Sequence, residues 1–118
     1  MAIPLIRLFT GSDGESHFEV GTIDLATPHG VALRSASSHA TTVAFEESPP
    51  RSSLDWHTAP VRQFVITLRG TLEFETRLGE TFTLAPGQVL LAEDTTGGGH
   101  KWRLTDDAPW QRVYVGLE

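Results

Sequence analysis

The sequence contains short runs in which apolar and polar side chains alternate, and residues typical of turns separate these runs. Few folds accommodate such a pattern. Within 62–69 every second residue from Phe64 is apolar, and Leu72 and Phe74 repeat the pattern beyond Gly70. Successive side chains of a β-strand point to opposite faces of its sheet, so a period of two indicates strands. Apolar residues never keep a helical spacing for three turns. The chain is therefore predicted to be all-β.

About nine short strands are predicted, each bounded by Gly, Pro or polar turn residues. They are 18–25, 31–35, 41–46, 62–69, 71–77, a strand between Glu80 and Ala85, 89–93, 101–105 and 110–117. Short strands at this spacing are typical of a sandwich or barrel, and we expect a closed barrel because closure removes exposed strand edges. A chain of 118 residues suits a single core, so residues 1–118 are predicted to form one domain.

Composition excludes several functional classes. The net charge is −6 and no Lys/Arg cluster occurs, which argues against a nucleic-acid partner. The chain has no cysteine, so disulfides, thiolate metal sites and a cysteine nucleophile are excluded. We recognise no membrane-spanning run and no secretory leader, and we expect a cytoplasmic protein with no membrane partner.

The residues that carry chemistry begin at 55–63, with the sequence DWHTAPVRQ, six residues before Gly70. This stretch resembles the first motif of the cupin family, in which a His-x-His pair precedes a Glu by three or four residues. Six further residues then lead to a Gly at a hairpin turn. His57 matches the first histidine, Ala59 stands where the second is expected, and Gln63 replaces the Glu.

A second stretch, 87–93, resembles the other cupin motif and leads through a Gly-rich loop, 95–99, to His100. Glu93 or Asp94 occupies the position of the family's proline. The resemblance covers 55–104, with 1–50 as N-terminal strands or an arm. It implies a small single-domain cupin, a double-stranded β-helix or jelly-roll barrel with one small-molecule site inside. It also implies a homodimer that forms through edge strands or an exchanged segment 3–9.

The resemblance places His57, Gln63 and His100 inside the barrel, where they act on a ligand or hold one divalent metal ion, namely Zn, Fe, Mn or Ni. Ala59 supplies no ligand, and the neutral Gln63 amide binds hard cations less strongly than a carboxylate does. Replacement ligands are conceivable, although nothing in the sequence positions them: His17, Glu19, Glu93 and Asp94. No fingerprint of an organic cofactor occurs, and none is expected.

Two functions remain open for these residues. In the first, His57 and His100 catalyse a non-redox reaction of a small polar substrate, as an isomerase, cyclase or lyase does, with metal or acid–base assistance. In the second, the protein is a non-enzymatic ligand-binding or sensing cupin, and a metal-dependent dioxygenase is a weaker third alternative. Ordinary structural roles also remain open: a packing His57, a solvent-facing Gln63, a core His100 and a flexible or lid-like loop 95–99.

Overall fold

The computed structural model describes residues 1–118, which form twelve β-strands and no helix. The strands are β1 (Ala2–Thr10), β2 (Ser16–Asp24), β3 (Thr27–His29), β4 (Ala32–Arg34), β5 (Ala40–Ser48), β6 (Ser53–His57), β7 (Gln63–Arg69), β8 (Leu72–Thr76), β9 (Thr81–Leu84), β10 (Val89–Glu93), β11 (His100–Leu104) and β12 (Trp110–Leu117). The predicted all-β class is confirmed. No helix is long and apolar enough to cross a membrane.

The strands form two main sheets and a separate hairpin. The larger sheet has six strands in the order β2-β1-β10-β7-β12-β5, and the smaller has four in the order β6-β11-β8-β9. The chain passes back and forth between them, so that β5, β7, β10 and β12 lie in one sheet and β6, β8, β9 and β11 in the other. No ladder joins the two sheets, and the predicted closed barrel is not found. The β3–β4 hairpin forms a two-stranded sheet of its own.

The hydrophobic core lies between the two main sheets. Buried side chains of the larger sheet, such as Leu8 and Trp110, share one cluster with buried side chains of the smaller sheet, such as Phe74 and Trp102. Alternation decides which residues belong to it, because only every second side chain of a strand faces inward. The core therefore fills the space between the sheets. On the outer face of the larger sheet, residues 34–38 line a recess together with Phe64, Ile66 and Val89.

Strand β7 faces the core with its more polar side. Gln63, Val65 and Thr67 are buried, whereas Phe64 and Ile66 are only partly buried on the outer face. Hydrophobicity alone favours the opposite orientation. The inward face is fixed instead by its partners, because Thr67 accepts a hydrogen bond of 3.2 Å from the buried Trp110 indole, and Gln63 lies beside the interior cavity.

Three strands were not among the nine predicted. The segment predicted to be an exchangeable arm is β1, which pairs with β2 on one side and runs parallel to β10 on the other. Strand β6 brings the predicted motif into the smaller sheet, and β3 completes a short hairpin. Pro4 interrupts the period of two in β1, whereas β6 keeps that period but is only five residues long.

Candidate functional site

A cavity of about 390 Å³ opens between the two sheets, and all three predicted site residues line it. His57, Gln63 and His100 come from β6, β7 and β11 respectively, so both sheets contribute. Most of the wall is apolar or aromatic. The remaining lining residues are Thr42, Ala44, Glu46, Leu54, Ala59, Pro60, Val65, Phe74, Leu90, Ala92, Trp102, Trp110, Arg112 and Tyr114. Those from the edge strands β5 and β6 are exposed and mark the mouth, for example Ala44 and Leu54.

The two histidines lie side by side on neighbouring strands. His100 of β11 is directly opposite His57 of β6 in the antiparallel register, and their ring centroids are 4.4 Å apart with the planes inclined by 61°. Two imidazolium ions at this separation would repel each other, so the pair favours states that carry at most one added proton. One ring can therefore serve as an acid while the other serves as a base.

A buried carboxylate holds His100. Asp94 Oδ2 lies 2.6 Å from His100 Nδ1 and also accepts a 2.7 Å hydrogen bond from the Ser16 hydroxyl. An ionised carboxylate only accepts hydrogen bonds, so Nδ1 of His100 carries a hydrogen and Nε2 of the neutral ring is the free acceptor. Asp94 is fully buried, and its second oxygen, Oδ1, has no hydrogen-bond partner. A buried carboxylate oxygen without a hydrogen-bond partner lowers the stability of the fold, and such groups are typical of functional sites.

His57 is oriented by the backbone. Its Nδ1 donates a 2.7 Å hydrogen bond to the carbonyl oxygen of Asp55, so Nε2 of this neutral ring is also the free acceptor. Burial lowers the pKa of His57 below its ordinary value, and the positive charge that His100 can carry lowers it further, while the Asp55 carbonyl acts in the opposite direction. His57 is therefore neutral at pH 7 and suited to accept a proton.

The cavity wall also carries a cationic group that was not predicted from the sequence. Arg112 of β12 has a side chain only 5% exposed, and its guanidinium carbon lies 3.9 Å from the centre of the Trp110 ring. It donates hydrogen bonds to Tyr114, Ser48, Glu46 and the Trp110 carbonyl. In the sequence, the alternation of Trp110, Arg112 and Tyr114 was the available signal, because it places all three on one face.

The donor set does not fit a firmly held metal ion. No group of three or more His, Cys, Asp or Glu side chains is arranged to bind one. The cavity offers two imidazoles and the neutral Gln63 amide, Ala59 supplies only a methyl group, and the Arg112 cation shares the wall. Carboxylate or thiolate ligands normally complete such sites. Asp94, the nearest acid to the pair, is directed at Nδ1 of His100 instead.

The other acids and histidine considered as replacement ligands lie away from the histidine pair. Glu93 accepts hydrogen bonds from Arg7 and Arg62, with distances of 2.6 and 2.5 Å. Burial alone would raise the pKa of Glu93, but these two guanidinium groups lower it overall. Glu19 lies 3.7 Å from Arg7, and His17 is paired with Asp13.

The Gly-rich loop does not line the cavity. None of residues 95–99 belongs to the cavity wall. The loop is attached beside the site, since the Gly98 amide donates a 3.0 Å hydrogen bond to the Gly14 carbonyl and Gly99 packs directly on the His57 backbone. These contacts support a positioning role for the loop rather than the lid considered from the sequence.

Comparison with known proteins does not assign the chain. No protein-family model matches it, and no curated protein is significantly similar to it in sequence. The geometry of the cavity therefore has to carry the functional interpretation.

Proposed function

We propose that this protein is a cupin-like enzyme that catalyses a non-redox reaction of a small polar substrate, of the isomerase, cyclase or lyase type. His57 and His100 exchange protons with the substrate. The observation that carries the proposal is the histidine pair itself: two imidazoles 4.4 Å apart face one cavity, and a fully buried carboxylate orients one of them.

The strand order supports a jelly-roll fold of the cupin type. Eight of the strands alternate between two facing sheets, with the orders β10-β7-β12-β5 and β6-β11-β8-β9. Two four-stranded sheets linked by such crossings are the arrangement of a jelly roll. Strands β1 and β2 extend the larger sheet. Fold alone does not select a reaction, so the functional proposal rests on the site.

Each site residue has a role in the proposed reaction. The neutral His57 accepts a proton from the substrate, because its pKa is lowered by burial. His100 accepts a proton at Nε2, or delivers one from Nε2 when it carries the single added proton of the pair, while Asp94 keeps Nδ1 protonated and the ring fixed. Gln63 orients the substrate through its amide.

Solvent exchange tests the proposal without knowledge of the physiological substrate. A panel of small sugars, hydroxy acids and keto acids is screened for binding by thermal shift, and compounds that bind are incubated with the protein in D₂O. We expect NMR to detect deuterium incorporation at carbon, lost in His57→Gln and in His100→Gln. His29→Gln, an exposed histidine outside the cavity, is the matched control and retains exchange.

Other outcomes of this experiment assign other functions. Binding without exchange identifies the ligand-binding or sensing alternative, which the missing histidine at Ala59 favours. Exchange that a chelator abolishes and added Zn, Fe, Mn or Ni restores would overturn the metal-free reaction. Absence of binding across the panel would count against a small-molecule site.

A further inference from the structure

We propose that the ligand of the cavity carries a carboxylate, and that Glu46 occupies the binding position of this carboxylate on Arg112 until the ligand displaces it. This inference rests on the proposed function, because it names the substrate class of the same cavity.

Arg112 is built as a rigid cation in the cavity wall. Nε donates 3.1 Å to the Tyr114 hydroxyl, and the two hydrogens of Nη1 go to Ser48 at 2.9 Å and the Trp110 carbonyl at 3.0 Å. A guanidinium has five N–H donors in a fixed planar fork, so only Nη2 remains for an exchangeable partner. The Nε and Nη1 hydrogens of the guanidinium are thus bound within the protein, and the Nη2 hydrogens are directed to the exchangeable partner.

Glu46 is the partner at the open side, and it is loosely held. Its Oε2 accepts a 2.8 Å hydrogen bond from Nη2, yet its side chain is 60% exposed, compared with 5% for Arg112. It lies on β5, an edge strand, at the mouth of the cavity. A ligand carboxylate that replaces Glu46 keeps the buried Arg112 charge paired, and the released Glu46 side chain is already largely hydrated, so the exchange of carboxylates costs little.

A ligand carboxylate finds a second donor beside Arg112. The Tyr114 hydroxyl accepts the hydrogen bond from Nε, which leaves its own hydrogen free to donate. Burial, the largest influence, raises the pKa of Tyr114, so this hydrogen is retained at neutral pH. Arg112 Nη2 and Tyr114 together make a polar recess against an apolar wall.

Aromatic rings connect this recess to the histidine pair. The Phe74 ring centre lies 5.6 Å from that of His100 and 6.3 Å from that of Trp110, on which Arg112 stacks. A ligand with a carboxylate at Arg112 therefore extends along an apolar surface toward the imidazoles. The favoured ligand class is a small organic acid with an apolar or aromatic body.

Benzoate and its neutral counterpart benzamide test the inference by isothermal titration calorimetry. We expect the protein to bind benzoate more tightly than benzamide. Glu46→Gln should tighten benzoate by about fivefold or more, the equivalent of about one hydrogen bond, and leave benzamide unchanged. Glu47→Gln, a neighbouring carboxylate outside the cavity, removes the same charge and is the matched control.

The outcomes separate this inference from the proposed function. Equal binding of benzoate and benzamide, no binding of either, or no effect of Glu46→Gln beyond that of Glu47→Gln overturns the carboxylate inference. His100→Gln should keep the preference for benzoate while it abolishes deuterium exchange of the screened substrates. A preference for benzoate with no exchange by any compound would retain the anion site and refute the catalytic proposal.

A different observation supports a second inference, which concerns the outer faces of the sheets. The outer face of the smaller sheet is suited to water, because Lys101 lies opposite Glu75 and Arg103 opposite Glu73 as ion pairs. The outer face of the larger sheet is apolar across five strands. One in-register row consists of Leu5, Val89, Ile66, Val113 and Phe45, and the next contains Leu91, Phe64, Val115 and Val43.

We infer that this apolar face binds a second copy of the chain. Five strands about 4.8 Å apart and about seven residues long span roughly 24 by 24 Å, or about 600 Å². That area approaches the roughly 800 Å² that each partner buries in a standard interface. The chain also exposes 6807 Å², compared with about 6,300 Å² for a monomeric protein of its mass.

The nature of the face favours self-association rather than a charged partner. The charges at its border, Arg7, Glu19, Arg62 and Glu93, already neutralise one another. A two-fold axis brings the same surface of both copies together, so an apolar face of one copy meets the apolar face of the other. The interface inferred here is this face, whereas the family resemblance implied edge strands or an exchanged segment 3–9.

Analytical ultracentrifugation over a concentration series tests the interface. We expect a species near 26 kDa, twice the 12.9 kDa of one chain. Phe45→Glu should convert it to a monomer with an unchanged circular dichroism spectrum. Val20→Glu is the matched control, because Val20 is as exposed as Phe45, at 78% and 74%, but lies opposite Ile6 on the inner face. A monomeric parent, a dimeric Phe45→Glu or a monomeric Val20→Glu would overturn the inference.

Discussion

The backbone contact between Gly99 and His57 positions the histidine pair, and replacement of Gly99 by alanine should reveal its energetic weight. Gly99 has φ of +74°, and an added Cβ would meet the carbonyl carbon of His57 at 2.6 Å. The left-handed conformation costs an L-residue about 1–2 kcal/mol, and the forced displacement of packed backbone about 1–3 kcal/mol more. Reduced freedom of the unfolded chain returns about 0.4–1 kcal/mol. We expect a net loss of about 1–5 kcal/mol, with a central value of about 3 kcal/mol.

Gly87→Ala is the matched control, because Gly87 has φ of +90° with no atom near the added Cβ. It carries the conformational cost without the displacement, so its expected loss is about 1 kcal/mol. Urea unfolding followed by tryptophan fluorescence measures both. With a slope of about 1–3 kcal/mol per molar urea, the two midpoints should differ by roughly 1 M. Equal midpoints, or unchanged NMR signals of His57 and His100 in Gly99→Ala, would refute the reasoning.

Three further predictions concern the site and the core. Asp94→Asn should release the fixed tautomer, so that ¹⁵N NMR of His100 changes from a protonated Nδ1 to a mixture of both forms. Because the folded-state pKa of His57 is lowered, the unfolded chain binds a proton that the folded protein does not, and the free energy of unfolding should fall as the pH falls below about 6.5. Urea titrations at several pH values should show a smaller decrease in His57→Gln. Phe74→Ala removes a ring that is 2% exposed and should cost about 3–5 kcal/mol in thermal unfolding. Leu78→Ala, at an exposed turn, should cost well under 1 kcal/mol.

Local patterns predicted much of the fold. The alternation around Leu72 and Phe74 identified β8 and its inward face, and His100 lies on the buried side of β11 together with Trp102, as the same rule requires. The same rule orients β7 wrongly, because its more apolar face, which carries Phe64 and Ile66, is the outer one. Its direction is settled by contacts with distant strands, such as the bond from Trp110 to Thr67.

The site was predicted in outline but not in its supporting residues. The motif spacing predicted His57, Gln63 and His100 as site residues, and all three line one cavity. Asp94 was considered only as a replacement metal ligand, because its contact with His100 depends on the path of the intervening loop. Arg112 was overlooked although it alternates with the aromatic residues Trp110 and Tyr114, because this alternation places the three on one face without showing that the face is turned inward.

Many of the paired strands are far apart in the sequence, and this separation affects how the chain folds. Strand β1 finds its parallel partner β10 almost at the other end of the sequence, and Ser16 bonds Asp94 across a separation of 78 residues. Proteins dominated by distant contacts fold slowly, on a scale of about milliseconds to seconds. During synthesis, β1 and Ser16 emerge first and remain without their partners until β10 and Asp94 have followed. Unpaired strands with exposed apolar side chains promote aggregation, so we expect refolding yields to fall as the protein concentration rises.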